Sequence, residues 1–128
     1  MANRFARAAR ALVGCRFRPQ GRDPASGLDC IGLVGSAFAI PAERIPHDYR
    51  LRGDHRAALE GGLMVHFRRA RTARIGDVLL LSVAPGQLHL GIKTDAGFVH
   101  AHAGLKRVVE TPGEPQWPIL AAFRRRAS

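Results

Sequence analysis

The chain has 128 residues, of which 20 are lysine or arginine and 10 are aspartate or glutamate, so its formal net charge is +10. This length suits one domain with a single modest core, and we predict that residues 1–128 form that domain. Hydrophobic residues make up 46% of the chain, which excludes a disordered basic tail, and no stretch has the roughly 18 apolar residues of a membrane-spanning helix. The basic excess indicates an anionic partner, such as a nucleic acid, an anionic lipid or an acidic cell-wall polymer.

The N-terminal residues predict an amphipathic helix rather than an export signal. Phe5, Leu12 and Val13 recur at helical spacing within residues 2–13. Arginines interrupt this stretch, which therefore lacks the apolar run of roughly 7–15 residues that a signal peptide needs. We expect a protein made in the cytoplasm without a secretion signal, and its two cysteines are too few for a disulfide framework.

The middle of the chain predicts two further helices. A turn-rich loop over residues 20–27 leads into the apolar segment 28–40, which is typical of a buried helix, and Asp29 stands where the N-cap of that helix belongs. A weaker helix is expected over residues 54–66. The arginines of residues 68–74 predict a basic surface loop.

From residue 76 onward, short apolar or alternating runs separated by glycine, proline and aspartate predict a mostly antiparallel sheet. About five strands are expected, namely Val78–Val83, Leu88–Lys93, Phe98–His102, Arg107–Glu110 and Ile119–Phe123. Because the helices precede the strands, the chain is predicted to have an α+β fold in which a helical layer packs on one sheet.

Cys30 follows the predicted N-cap and begins the buried helix. The positive end of the helix dipole and the unpaired amides of the first turn favour a thiolate there, so we expect a lowered pKa and a reactive thiol. An unpaired cysteine in an apolar run is more often a packing residue, and Cys30 alone does not establish catalysis.

Three histidines fall on two neighbouring predicted strands. A two-residue hairpin loop at residues 95–96 places His89 opposite His102 and diagonal to His100. All three side chains then project from one face of the sheet, within roughly 5–8 Å of one another.

Two kinds of site use such a cluster. In the first, Cys30 is a nucleophile, one histidine is its general base and a second histidine orients that base. In the second, His89, His100 and His102 bind a metal such as zinc and leave one position open for water. Because zinc leaves the placement of Cys30 unexplained, we favour the thiol site, which needs no metal or other cofactor.

Four ordered sequence blocks resemble the NlpC/P60 cysteine peptidases, whose pattern runs D-C-S-G-L, G-D-L, H-V-G-I and then His-Ala on the next strand. The blocks are Leu28-Asp29-Cys30-Ile31-Gly32-Leu33-Val34, Gly76-Asp77-Val78-Leu79-Leu80-Leu81, His89-Leu90-Gly91-Ile92 and Phe98-Val99-His100-Ala101. The resemblance covers about residues 5–110. It implies a papain-like α+β fold and hydrolysis of stem peptides in bacterial peptidoglycan, typically between γ-D-glutamate and a diamino acid.

The resemblance also implies roles for individual residues. Cys30 matches the nucleophile, His89 the general base and His100 the third, orienting residue. Phe17, which replaces the family's usual tyrosine, and Asp29 are predicted to contact the substrate. His102 has no counterpart in the family, and we predict it either as a substrate contact or as the third residue in place of His100.

Ile31 replaces the serine that usually follows the family's cysteine. A branch associated with phage tails and gene-transfer particles carries an aliphatic residue there, so the resemblance implies a cell-wall peptidase of a phage-like particle, with peptidoglycan and tail-tip proteins as partners. Two other functions stay open, a catalytically lapsed structural tail component and a basic nucleic-acid-binding protein. Because the sequence lacks stacking aromatics and nucleic-acid-binding motifs, we do not expect a nucleic acid as partner. Nor do we expect a membrane, because no stretch is long and apolar enough to span one.

Overall fold

The structure, a computed structural model, describes residues 3–45 and 55–126 of the chain. Its helices are α1 (Arg4–Ala11), α2 (Cys30–Ala37) and α3 (Arg56–His66), with a 3-10 turn at Ala42–Arg44. Its strands are β1 (Arg22–Asp23), β2 (Gly27–Leu28), β3 (Phe67–Ala70), β4 (Val78–Ala84), β5 (Gln87–Lys93), β6 (Gly97–His102), β7 (Arg107–Pro112) and β8 (Ile119–Arg125). No helix in this part of the chain is long and apolar enough to cross a membrane.

The strands form two antiparallel sheets. A small ribbon consists of β1 and β2, and the remaining strands form a six-stranded sheet in the order β3-β8-β4-β5-β6-β7. The predicted α+β fold, with helices on an antiparallel sheet, is confirmed. The helix expected over residues 54–66 is present as α3, and residue 54 itself lies outside the described residues.

The sheet has six strands rather than about five because β3 adds to its edge. β3 pairs with β8 from Phe67↔Arg125 to Ala70↔Ala122. The prediction of a basic loop over residues 68–74 is therefore wrong for its first three residues. Backbone pairing and the burial of Phe67 decide the conformation here, while the side chains of Arg68 and Arg69 reach solvent.

Alternation along the central strands gives the sheet two apolar faces. Val78 and Leu80 of β4 pack in the larger core beneath the helices, while Leu79 and Leu81 pack on the opposite face. Full burial of such side chains stabilises the fold by about 1.5–3 kcal/mol each. The histidines of β5 and β6 project from this sheet, which is packed on both faces.

α2 begins where the sequence predicts. Its N-cap Asp29 accepts a hydrogen bond from the Gly32 N–H at 2.8 Å, and the helix is buried on nearly every side. Gly32 is needed for packing, because a Cβ there would come within 2.0 Å of the Gly21 carbonyl oxygen. This close approach holds the loop before β1 against the first turn of α2, beside Cys30.

The segment of residues 14–17 runs along the outer edge of β7. Val108 donates to the Cys15 carbonyl at 2.8 Å and accepts from the Gly14 N–H at 2.9 Å, and the Phe17 N–H bonds to the Lys106 carbonyl at 3.0 Å. These bonds bring the ring of Phe17 towards the same end of the sheet as the N terminus of α2.

Candidate active site

A single cavity of about 450 Å³ collects every residue that the sequence analysis singles out for chemistry. It opens beside the first turn of α2, at the start of β5 and the end of β6. Its walls include Phe17, Asp29, Cys30, His89, His100 and His102, together with Gln20, Gln87 and Trp117.

The hairpin that carries the histidines has the predicted register, with Ile92 opposite Val99 and Lys93 opposite Phe98. The paired part of the two strands ends there, so the predicted direct pairing of His89 with His102 does not form. α2 packs against both strands.

The diagonal pair makes the closest contact in the cluster. His89 Nε2 lies 3.0 Å from His100 Nδ1, and the two rings meet nearly edge to face. The other nitrogen of His100, Nε2, lies 2.9 Å from Thr111 Oγ1 on β7. These contacts leave Nδ1 of His89 as the ring nitrogen through which this pair can serve Cys30.

His102 is arranged differently from the other two histidines. Its Nδ1 accepts a hydrogen bond from the Leu105 N–H at 3.1 Å, and its ring is partly exposed at the cavity wall. Of the two candidates for the third position, only His100 hydrogen-bonds His89 within the part of the chain that the structure describes.

The cluster does not have the arrangement of a metal centre. Over residues 3–45 and 55–126, no group of three histidine, cysteine, aspartate or glutamate side chains could hold a metal ion. His89 Nε2 and His100 Nδ1 are directed at each other at 3.0 Å, and His100 Nε2 faces Thr111, so Nδ1 of His89 is the one nitrogen of the pair that these contacts leave available. The described residues thus bring together no three-ligand group of the kind that the zinc alternative requires.

Cys30 is the first residue of α2, and its side chain is almost fully enclosed. Burial raises the pKa of its thiol to about 12, and the negative charge of Asp29 adds to the rise. Hydrogen bonding to the Leu90 backbone and the positive charge of Arg22 act in the opposite direction but are weaker. The expected lowering of this pKa is wrong, because loss of hydration outweighs the field at the start of the helix.

The two paired histidines are also held neutral. Burial lowers the pKa of His89 to about 4, with a further contribution from the charge of His102. Burial likewise lowers the pKa of His100 to about 4, helped by repulsion from His89 and His102. The resting site therefore contains a neutral thiol and neutral imidazoles at pH 7.

Asp29 uses its carboxylate within the protein. Oδ1 accepts from the Gly32 N–H at 2.8 Å and from Arg22 Nη1 at 2.7 Å, and Oδ2 accepts from the Gln20 N–H at 3.1 Å. Nε and Nη2 of Arg22 are buried without a partner in the described residues, so Asp29 is the main counter-charge of this guanidinium. The predicted substrate contact by Asp29 would come in addition to this structural function.

Sequence reasoning missed two residues of the site. Trp117 lines the cavity, and its ring lies roughly perpendicular to those of His89 and His100, with centroid distances of 6.1 and 5.9 Å. No motif or periodicity marks this tryptophan, which lies in the irregular segment before β8. Thr111 lies one residue beyond the predicted end of its strand, and only the register of β6 against β7 would have revealed it.

Together these observations define an α+β protein with a cysteine and two hydrogen-bonded histidines in one cleft. A scan against protein-family models gives no match, and a search of curated proteins gives no relative. Among solved structures, the peptidoglycan hydrolase RipB from Mycobacterium tuberculosis has a TM-score of 0.58 and 23% identity, over 95% of this chain and 62% of that chain. The NlpC/p60 domain of the peptidoglycan hydrolase SagA has a TM-score of 0.55 and 17% identity, over 97% of both chains.

These likenesses establish the fold. The chain has the architecture of an NlpC/P60 domain, as the sequence blocks predict, and it spans less than two thirds of the RipB chain, of which 62% is covered.

Proposed function

We propose that this chain is a cysteine peptidase of the NlpC/P60 type that hydrolyses peptide bonds in the stem peptides of bacterial peptidoglycan. The observation that carries the proposal is the placement of Cys30, His89 and His100 in one cavity, with His89 Nε2 bound to His100. Further support comes from the fold, which is shared with two peptidoglycan hydrolases.

The proposed reaction proceeds through a thioester. His89 Nδ1 takes the proton of the Cys30 thiol, and the sulfur attacks the scissile carbonyl carbon, forming a C–S bond. The oxyanion that develops faces the Cys30 N–H at the start of α2. His89 then donates its proton to the leaving amine as the C–N bond breaks. Water, deprotonated by His89, hydrolyses the thioester and regenerates the thiol.

The electrostatics of the resting cavity decide when the first proton moves. Burial holds the pKa of Cys30 near 12 and that of His89 near 4, so a thiolate–imidazolium pair is strongly disfavoured in the free enzyme. We therefore expect the proton transfer to accompany attack on a bound carbonyl, when the negative charge passes from sulfur to an oxygen that the helix N terminus stabilises.

Of the two residues that depart from the family pattern, Ile31 and Phe17, only Phe17 lines the cavity. The side chain of Ile31 belongs to the core beneath the helices and lies outside the residues that line the cavity. Phe17 lies in the cavity wall, as do Asp29 and His102. The proposed preference for a γ-D-glutamyl–diamino acid bond thus depends on Phe17 and its neighbours rather than on Ile31.

We also propose that the enzyme reaches the wall as part of a phage-like particle, bound to tail-tip proteins. The support is the aliphatic residue Ile31 after the cysteine, which resembles the branch associated with such particles. Copurification of the chain with particles from producing cells would test this part of the proposal separately from catalysis.

Digestion of purified muropeptides, followed by mass spectrometry, tests the activity. The wild-type chain should release fragments cut within the stem peptide, Cys30→Ala should release none, and the matched variant Cys15→Ala should cut normally. EDTA should leave the rate unchanged. Undiminished cleavage by Cys30→Ala would refute the thiol mechanism, and an inactive but folded wild-type chain would favour the lapsed structural component.

A further inference from the structure

The histidine pair continues to a residue outside all four sequence blocks. Thr111 lies on β7, opposite Phe98 of the neighbouring strand, and its Oγ1 is 2.9 Å from His100 Nε2. The His100 ring is nearly inaccessible, since it stacks on Phe98 at 4.7 Å and only 2% of the residue is exposed. Thr111 is the hydrogen-bonding partner that the structure gives to this nitrogen.

Only one proton arrangement of the pair is useful to a base. If His89 carries its proton on Nε2, that N–H donates to His100 Nδ1, and neutral His100 must carry its own proton on Nε2. His89 Nδ1 is then bare and able to accept a proton. In the opposite arrangement His100 donates to His89, whose proton lies on Nδ1, and the base is blocked.

We propose that Thr111 is a positioning residue whose hydroxyl, which can accept as well as donate, accepts the Nε2–H of His100 and so stabilises the arrangement of both histidines that base catalysis requires, above all once His89 is charged. The inference rests on the function proposed above. The side chains that take part in the proposed proton transfer or orient its base are then four, in the order Cys30, His89, His100 and Thr111.

The need for Thr111 is greatest when the pair is charged. Once His89 has taken the proton of Cys30, both of its nitrogens are donors, and His89 must donate to His100 Nδ1. His100 must then donate through Nε2, so an acceptor has to stand where Thr111 Oγ1 stands. A buried N–H without an acceptor is costly, and hydrogen bonds that delocalise a charge are stronger than neutral ones.

Three substitutions at this position separate a hydrogen bond from mere packing. Thr111→Val keeps the shape but removes the acceptor, Thr111→Ser restores it, and Thr111→Asp offers a carboxylate that can only accept when ionised. Thr72→Val, in an exposed loop, is the matched control. We expect kcat to fall roughly 10- to 100-fold in Thr111→Val with little change in KM, and to recover in Thr111→Ser.

Imidazole nitrogen NMR gives a readout that does not depend on activity. At pH 7 the wild type and Thr111→Asp should show the Nε2–H tautomer at His89 and His100, whereas Thr111→Val should populate the Nδ1–H form. The titratable groups around these rings are Cys30 from α2, His102 from β6 and the pair itself, and the same spectra follow them.

The outcomes separate the two proposals. Unchanged tautomers in Thr111→Val, or equal losses of activity in the valine and serine variants, would overturn the assignment of Thr111. If the wild-type chain is inactive on muropeptides but the tautomers shift as expected, the positioning by Thr111 stands and the proposed function fails.

Discussion

Replacing Asp29 with alanine should destabilise the whole domain rather than only change substrate binding. The substitution removes the N-cap of α2 and the acceptor of Arg22, whose side chain is 6% exposed. It also removes the hydrogen bond that holds the Gln20 N–H at the cavity rim.

The expected magnitude follows from the burial of the groups left behind. Loss of the bond to the Gly32 N–H costs about 1 kcal/mol, as for other N-caps. Leaving a buried charge without its partner costs about 3–5 kcal/mol, and Nε and Nη2 of Arg22 already have no partner among residues 3–45 and 55–126. Because the two losses share one carboxylate they do not add fully, and we expect the free energy of unfolding to fall by about 4 kcal/mol.

Urea unfolding at pH 7 measures the effect. Asp95→Ala is the control, because Asp95 also pairs with an arginine, Arg10, but is exposed, so its midpoint should be unchanged. The double variant Arg22→Met/Asp29→Ala should recover much of the loss, since no unpaired charge remains. If Asp29→Ala unfolds at the same urea concentration as Asp95→Ala, the assigned role of the Arg22 pair is wrong.

Three further outcomes follow from the cavity. The rate of Cys30 alkylation by iodoacetamide, measured in a Cys15→Ser background, should rise about tenfold per pH unit up to pH 10. The reason is that burial raises the pKa of the thiol to about 12. A plateau of this rate near pH 8 would contradict the prediction. Burial lowers the pKa of His89 and His100 to about 4. Their contribution to the free energy of unfolding should therefore be fully present above pH 6.5 and decline as the pH falls towards 4. Urea titrations should show a loss on the order of 2 kcal/mol per histidine between pH 7 and pH 5, smaller in His89→Gln. In the muropeptide assay, His89→Ala should abolish cleavage, whereas His100→Ala should leave a measurable fraction of it. Equal loss of activity in the two variants would contradict the assignment of His89 as the base and of His100 as the residue that only orients it.

The parts of the site that the sequence predicts are those with local causes. An aspartate before an apolar run identifies the start of α2, and the two-residue loop at 95–96 sets the hairpin register that brings His89 and His100 together. Both features depend on residues within a few positions of each other.

The parts that the sequence does not predict depend on distant contacts. The pKa of Cys30 is raised rather than lowered as expected. The reason is that the sheet packed over the helix, and not the helix itself, determines how deeply the thiol is buried. Thr111 and Trp117 join the site through β7 and the irregular segment after it. The sequence does not predict β3, because two exposed arginines separate its buried residues Phe67 and Ala70.

The edges of the six-stranded sheet bear on whether a strand from another molecule can add to it. The β7 edge is occupied by residues 14–17, while β3 is only four residues long and presents Arg68 and Arg69 to solvent. Short, charged strands resist the addition of a strand from another molecule, because bringing like charges into register is repulsive. Part of the positive charge that first indicates an anionic partner thus also discourages the sheet from growing into aggregates.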